Sequence, residues 1–305
     1  MISLVIPVFN EEELIDQLYN RSLNSLKSIT NDFEIICVDD GSTDSSLQEL
    51  IRCHEQDKRF KVLSLSRNFG HQAALLAGLS FAKGDCIAMI DGDLQDPPEL
   101  LGEFHKKIKE GYQVVYAVRK KRKESLVKRM AYWLFYRIMG SISKVNIAFD
   151  SGDFSMITRE VLEQMLKIPE QSLFLRGSRS WVGFKQIGIE YEREKRAAGR
   201  PKYNFKMLFN LAYNGIFSFS DFPIKFLWKL GFVTALLSAI YILIIFIKKI
   251  FFGTVPEGFT TLVLAIIFFS GVQLICIGIL GEYIVRIYDE TRKKPLFILK
   301  EKYLD

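Results

Sequence analysis

Cysteine is scarce in this chain, and its four copies, Cys37, Cys53, Cys86 and Cys276, are scattered. No CxxC pair occurs, so neither a disulfide framework nor a zinc ribbon is encoded, and the thiols fit a reducing compartment. The opening MISLVIPVFNEE lacks a basic n-region and has an apolar run too short for a secretory signal; it reads as a first β-strand. The net charge of +6 comes without paired Cys/His spacing or an aromatic RNA-binding signature, so no nucleic-acid partner is expected. The positive balance instead suits an anionic membrane surface or an anionic substrate. Long uncharged runs are missing from the first two-thirds of the chain and begin only near Leu230.

The first part alternates short apolar runs with amphipathic ones. Strands are predicted at 2–8, 33–38, 61–66, 86–91 and 112–118, and helices at 11–29, 43–56, 71–82 and 97–110. This spacing means βαβ units and an α/β, mostly parallel sheet, whose ligands bind beyond the carboxyl ends of the strands. Asn10-Glu11, Asp39-Asp40, Arg67-Asn68 and Asp91-Gly92-Asp93 all fall at those ends, so four strands deliver polar groups to one rim. Asp40 has a second reading as a turn residue. His71 is expected to cap or orient the Asn68-Phe69-Gly70 turn, and His54 and His105 to lie on helix surfaces.

Past residue 118 the character changes. RKKRKESLVKRM (119–130) is strongly basic and runs into AYWLFYRIMGSI; with YNFKMLFNLAYNGIFSFSDF (203–222) this gives two aromatic-rich stretches that read as interfacial helices. About 18 uncharged residues separate Lys229 from Lys248, and about 24 separate Glu257 from Glu282, each enough to cross a hydrocarbon core of about 30 Å. The expected organisation is a catalytic domain over 1–202, a juxtamembrane region over 203–228, two membrane helices within 229–284 (about 230–248 and 259–281), and a basic tail over 285–305. The basic residues after the second span place the tail and the large domain in the cytoplasm, giving a multi-pass inner-membrane protein.

Asp91-Gly92-Asp93 stands where a buried strand stops. Two carboxylates at that spacing can share one hard divalent cation, Mg²⁺ or Mn²⁺, which would neutralise a diphosphate leaving group. Gly92 leaves room for a close backbone approach.

SLVIPVFNEE (3–12), VDDGSTD (38–44), SRNFGH (66–71) and IDGDLQDPPE (90–99), in this order, resemble the family 2 glycosyltransferases of GT-A (Rossmann-like) fold. Within that family the chain is most similar to the polyprenyl-phosphate sugar transferases, dolichol-phosphate mannose synthase and the GtrB-type bactoprenol glucosyltransferases, which also carry two C-terminal membrane helices. The resemblance implies that Pro7, Phe9, Glu11 and Asp39 line the nucleotide pocket, with Phe9 where some relatives have Tyr. It implies that Asp91, Asp93 and Gln95 hold the metal and the donor diphosphate. In DSGDFSMITR (150–159) Asp153 is the candidate catalytic carboxylate, grouped with Asp93, and Asp150 is its neighbouring competitor. Arg119, Arg196 and Lys202 match the family's basic positions and, with Arg122 and Arg200, are the candidates for the acceptor phosphate, although Arg200-Pro201 stands where many relatives have an acidic residue and Ser. Relatives assemble into tetramers, which implies a homo-oligomer.

A lipid monophosphate has a second pKa of about 6, so it arrives anionic and needs no general base, only cations to offset its repulsion from the carboxylates. The expected activity is therefore an inverting, metal-dependent transfer of a hexose, glucose from UDP-glucose first, to polyprenyl (undecaprenyl) phosphate. GDP-mannose, UDP-GlcNAc and an aminosugar donor are alternatives. A processive polysaccharide synthase fits less well, because Arg179-Ser180-Trp181 lacks that group's Gln-x-x-Arg-Trp pattern and two spans are few for a glycan channel. A non-catalytic membrane scaffold is opposed by the intact Asp91, Asp93 and Asp153.

Overall fold

A computed structural model describes residues 1–119, 151–168, 175–192, 222–252, 258–292 and 294–305. The predicted alternation is present. Strands β1 (Ile2–Val8) and β2 (Phe33–Asp39) are buried at every residue, β3 spans Phe60–Leu65, and β4 spans Cys86–Met89. Strands covered on both faces need no polar alternation, which is why they read as continuous apolar runs. Between them lie α1 (Ile15–Ile29), α2 (Ser46–Gln56), α3 (His71–Phe81) and α4 (Leu101–Lys109). On α1, Ile15, Leu18, Ser22, Ser25 and Leu26 form one buried stripe, the helical period expected of a helix laid on a sheet.

Among the described residues the sheet has eight strands in the order β7-β5-β6-β4-β1-β2-β3-β8. β3, β2, β1 and β4 are mutually parallel, while β6 (Ser151–Thr158) runs antiparallel to both β4 and β5 (Val114–Arg119). β7 (Gln186–Tyr191) pairs parallel with β5. The described sheet is mostly parallel, as the sequence pattern predicted, with β6 and β8 running against the other strands. The strand that changes the direction, β6, lies beyond the last recognisable βαβ unit. Two apolar clusters cover the faces, one around Phe60, Phe104 and Phe154, the other around Val5, Ile36, Leu63 and Leu75. Two short helices, α5 (Arg159–Leu166) and α6 (Leu175–Trp181), follow β6.

The last strand, β8 (Leu299–Tyr303), pairs antiparallel with β3. Its sequence LKEKY reads as a charged tail because it is an edge strand, and edges are kept charged against pairing with other chains. His54 belongs with it. It is buried rather than on a surface, with Nδ1 2.6 Å from the Phe60 carbonyl oxygen and Nε2 3.1 Å from that of Asp305.

A second compact unit holds residues 205–293. Its described part is two long helices, α7 (Phe222–Phe252) and α8 (Phe259–Arg292). Large apolar side chains such as Leu237, Phe251, Leu274 and Ile284 stand exposed along them, which marks a surface for an apolar surrounding rather than water. Among the described residues one segment, Phe268–Arg292, is long and apolar enough to cross a membrane. The stretches read as interfacial helices lie outside the described residues, apart from Phe222, which opens α7.

Candidate active site

The strand order reverses between β1 and β4, the kind of point at which open α/β sheets bind their ligands. Beyond β1 the chain turns sharply at Asn10, whose φ is 53°. The Asn10 side-chain oxygen accepts the Thr43 N–H at 2.8 Å, and Ser46 Oγ accepts the Glu11 N–H at 2.9 Å. These bonds stitch the loop after β1 to the loop after β2. Asp39, buried at the end of β2, accepts the Ser42 N–H at 3.1 Å and the Ser64 hydroxyl at 3.3 Å. Pro7 lies in β1, and Phe9 and Glu11 follow it, so the four residues assigned to the nucleotide pocket share this β1–β2 flank.

Asp40 takes the turn role considered for it. Its carboxylate accepts the Phe69 N–H at 2.7 Å and the Gly70 N–H at 2.9 Å, holding the 66–71 segment, where Gly70 has φ 98°. Burial pushes its carboxyl above the usual value although both amides oppose this. His71 is thereby relieved of the capping role predicted for it and turns toward the carboxylates.

On the other side of β4, strand register places the second carboxylate. Met89 pairs with Ser155, and continuing that antiparallel register by two residues sets Asp91 opposite Asp153. His71, the first residue of α3, lies between them, with Nε2 3.4 Å from Asp91 Oδ1 and 3.3 Å from Asp153 Oδ2. Burial pushes the Asp91 carboxyl up to about 6, against the pull of His71 and with help from Asp96 and Asp153. Asp153 behaves oppositely. Burial alone would raise it, but the Arg176 charge and hydrogen bonds from His71 and Arg176 hold it well below the usual range. For His71, burial works against the proton, and the two carboxylates more than restore it, leaving the imidazole above its ordinary value.

Arg176, on α6, clasps Asp153 with two bonds, and Gln72 adds a third at 3.0 Å. The Gln72 oxygen in turn accepts the Leu175 N–H at 3.0 Å, tying the first turn of α3 to the start of α6. Three residues along α6, Arg179 is buried over the Tyr116 ring, its guanidinium carbon 5.4 Å from the centroid, and burial lowers its pKa to about 10.

The turn after β4 is tight. A Cβ at Gly92 would lie 2.7 Å from the Pro7 carbonyl oxygen, so the close approach foreseen there is to the protein's own β1. Leu94 is buried with φ 56°, a strained conformation for a branched side chain and one that such sites tolerate. Asp93 Oδ1 accepts the Gln95 N–H at 3.1 Å, and buried Asp96 accepts the Tyr191 hydroxyl from β7. Ligand atoms of His71, Asp91 and Asp153 lie within 4.8 Å of one another, compact enough to hold a cation. Of the metal set predicted from sequence, this group contains Asp91 but not Asp93 or Gln95.

Arg119 closes β5, while Asp150, Arg122, Arg196, Arg200 and Lys202 lie outside the described residues. The sequence pattern does not mark Gln72 or Arg176, and Arg179 figures in it only within the absent Gln-x-x-Arg-Trp motif. The available signals were faint: His-Gln opening a helix at the rim, and arginines three apart just after the segment of Asp153.

A parallel β3-β2-β1-β4 half with carboxylates at its reversal point, extended by an antiparallel strand bearing another, defines a GT-A-like α/β enzyme of the glycosyltransferase class. Residues 3–166 match the family described as Glycosyl transferase family 2, and residues 222–287 match the GtrB C-terminal hairpin. The chain belongs to glycosyl transferase family 2 and is closely related to the GtrB type. It is 42% identical over 303 residues to the prophage bactoprenol glucosyl transferase homolog of Escherichia coli K12, covering 98% of each chain. It is 40% identical over 306 residues to the SfII prophage-derived bactoprenol glucosyl transferase of Shigella flexneri, covering 99% of this chain and 98% of that one. The uncharacterized glycosyltransferase YkcC of Bacillus subtilis is 42% identical over 303 residues, 99% of this chain and 94% of that protein.

Proposed function

We propose that this glycosyltransferase moves glucose from UDP-glucose to a polyprenyl phosphate at the inner face of a membrane, with inversion at the sugar. The observation that carries this reading is the approach of Asp91, just past β4, to Asp153 on β6, with the β1–β2 flank on one side and arginine-bearing α6 on the other. Relatives named bactoprenol glucosyl transferases support the lipid and the sugar. In the reaction a phosphate oxygen of the acceptor forms a bond to the anomeric carbon. The bond from that carbon to the donor's β-phosphate breaks, and UDP leaves with the electron pair. No proton need be removed from a doubly ionised phosphate, so the reaction does not require Asp153 as a base. Its part is to orient.

His71, Asp91 and Asp153 lie close enough together to hold a divalent cation, with Asp93 and Gln95 as further ligands by resemblance. When bound, such a cation supplies charge neutralisation for the departing diphosphate. An imidazole among oxygen donors favours Mn²⁺ over Mg²⁺. Pro7, Phe9, Glu11 and Asp39 hold the nucleotide, and Arg119, Arg122, Arg196, Arg200 and Lys202 serve the acceptor phosphate.

Both α7 and α8 span the membrane in this reading, as an antiparallel hairpin with the catalytic domain (1–202) and both termini cytoplasmic. A homo-oligomer, a tetramer by resemblance, completes it. The test is purified protein with Mn²⁺ or Mg²⁺, labelled UDP-glucose and undecaprenyl phosphate, read by mass of the lipid product. A lipid-linked hexose is expected. Absence of transfer from every UDP- and GDP-sugar would sink the proposal, and a long polymer would favour a processive synthase.

A further inference from the structure

We propose that Arg176 is the residue that selects a phosphate acceptor: it lets go of Asp153 and clasps the incoming phosphomonoester. The proposal rests on the functional reading above and assigns a role to a residue that neither the motifs nor the family resemblance marked.

Sheet order supplies the first argument. β1 and β2, with the nucleotide-pocket positions, lie on one side of β4, and β6 lies on the other. Asp91 stands at the end of β4, between them. A group approaching from the β6 side therefore meets Arg176 and Asp153.

Exposure supplies the second. Asp153 is 5% exposed and Arg179 is 2%, whereas the Arg176 side chain is 30% exposed. Arg176 thus reaches from a buried carboxylate to the open side. Buried Arg179 adds a second positive charge behind it.

Shape points the same way. Nε donates to one Asp153 oxygen at 2.8 Å and Nη2 to the other at 2.9 Å, the parallel two-bond geometry that a guanidinium also makes with phosphate. The exchange trades one oxyanion for another without reshaping the guanidinium. Asp153 is not stranded by it, because Gln72 donates to it and His71 stays beside it. Gln72 also holds the start of α6, so the helix keeps its place while the arginine swings.

A phosphate at Arg176 has two sources, the acceptor monoester and the donor diphosphate. Steady-state kinetics of the full-length enzyme in mixed micelles separates them, using UDP-glucose and undecaprenyl phosphate with Arg176→Gln and Arg176→Lys. We expect Arg176→Gln to raise the acceptor KM about tenfold or more, the worth of charge-assisted hydrogen bonds. The KM for UDP-glucose should stay within twofold. Arg176→Lys keeps the charge but loses the two-bond grip, and should give an intermediate acceptor KM even if the Gln variant does not fold. A raised KM for UDP-glucose alone would reassign Arg176 to the donor and overturn the proposal. So would a fall in kcat with both KM values unchanged, which makes Arg176 only a support for Asp153. An unsubstituted enzyme that ignores undecaprenyl phosphate overturns the functional reading itself, a result obtained before any variant is compared.

Discussion

Arg176 and Asp153 are joined by two parallel hydrogen bonds, Nε to Oδ1 at 2.8 Å and Nη2 to Oδ2 at 2.9 Å, between a residue of α6 and a residue of β6. Removing Asp153 takes two charge-assisted hydrogen bonds from Arg176 and the nearby anion from buried Arg179. Asp153→Ala should therefore abolish sugar transfer and also lower stability by about 1–3 kcal/mol. Urea unfolding followed by circular dichroism reads the second effect. Asp153→Asn keeps the shape and should lose activity with a smaller stability cost; unchanged activity in that variant would remove Asp153 from the site.

Gly92→Ala places a methyl group against the Pro7 carbonyl oxygen, an atom of the central strand with nowhere to move. The turn must shift, and with it Asp91 and Asp93. A loss of about 1–3 kcal/mol is expected from the overpacking, with a larger proportional loss of activity than of stability. Thermal melting and transfer rate measured on the same preparation test this. Wild-type activity in Gly92→Ala would show that the close contact is dispensable.

The imidazole beside Asp91 makes a prediction about metals. Chelation should abolish transfer, and Mn²⁺ should restore it at lower concentration than Mg²⁺. Mn²⁺ binding by paramagnetic resonance, without substrates, should weaken about tenfold or more in His71→Ala, the scale on which even second-shell partners act. Unaltered Mn²⁺ affinity would place the cation on Asp91 and Asp93 without His71.

Acid stability should depend on Glu34, far from this chemistry. It is buried on β2, with Lys61 Nζ donating to it at 2.7 Å, Ser3 Oγ at 2.6 Å and the Lys83 N–H at 2.6 Å. Burial would raise its pKa, but these partners together hold it below the usual glutamate value. A depressed folded pKa gives stability that is complete above the unfolded value and is lost as pH falls through the folded one. Unfolding midpoints across that acid range should fall more steeply for the natural protein than for Glu34→Gln. Parallel curves would reject the assignment.

The parallel half of the sheet was legible because β1 and β2 are covered on both faces and leave unbroken apolar runs. The rim carboxylates were legible because strand ends are where polarity returns. The partners of Asp153 were not legible, because Arg176 and Gln72 approach it from helices far along the chain, and only the antiparallel register of β6 with β4 brings Asp91 and Asp153 together. Asp40 could not be told from a ligand-binding acid until its two amide donors were located. The strand LKEKY was hidden for a different reason: edge strands carry the charge that marks a solvated tail.

That strand has a consequence for biosynthesis. β8 pairs with β3, yet the ribosome makes β8 only after both long helices. The catalytic sheet therefore stays open along one edge throughout synthesis of the hydrophobic hairpin, and it closes through a contact of high sequence separation, the slow kind. Maturation of the enzyme is thus ordered: the hairpin is synthesised before the sheet is sealed, and a chain interrupted before its final strand leaves the β3 edge unpaired and prone to aggregation.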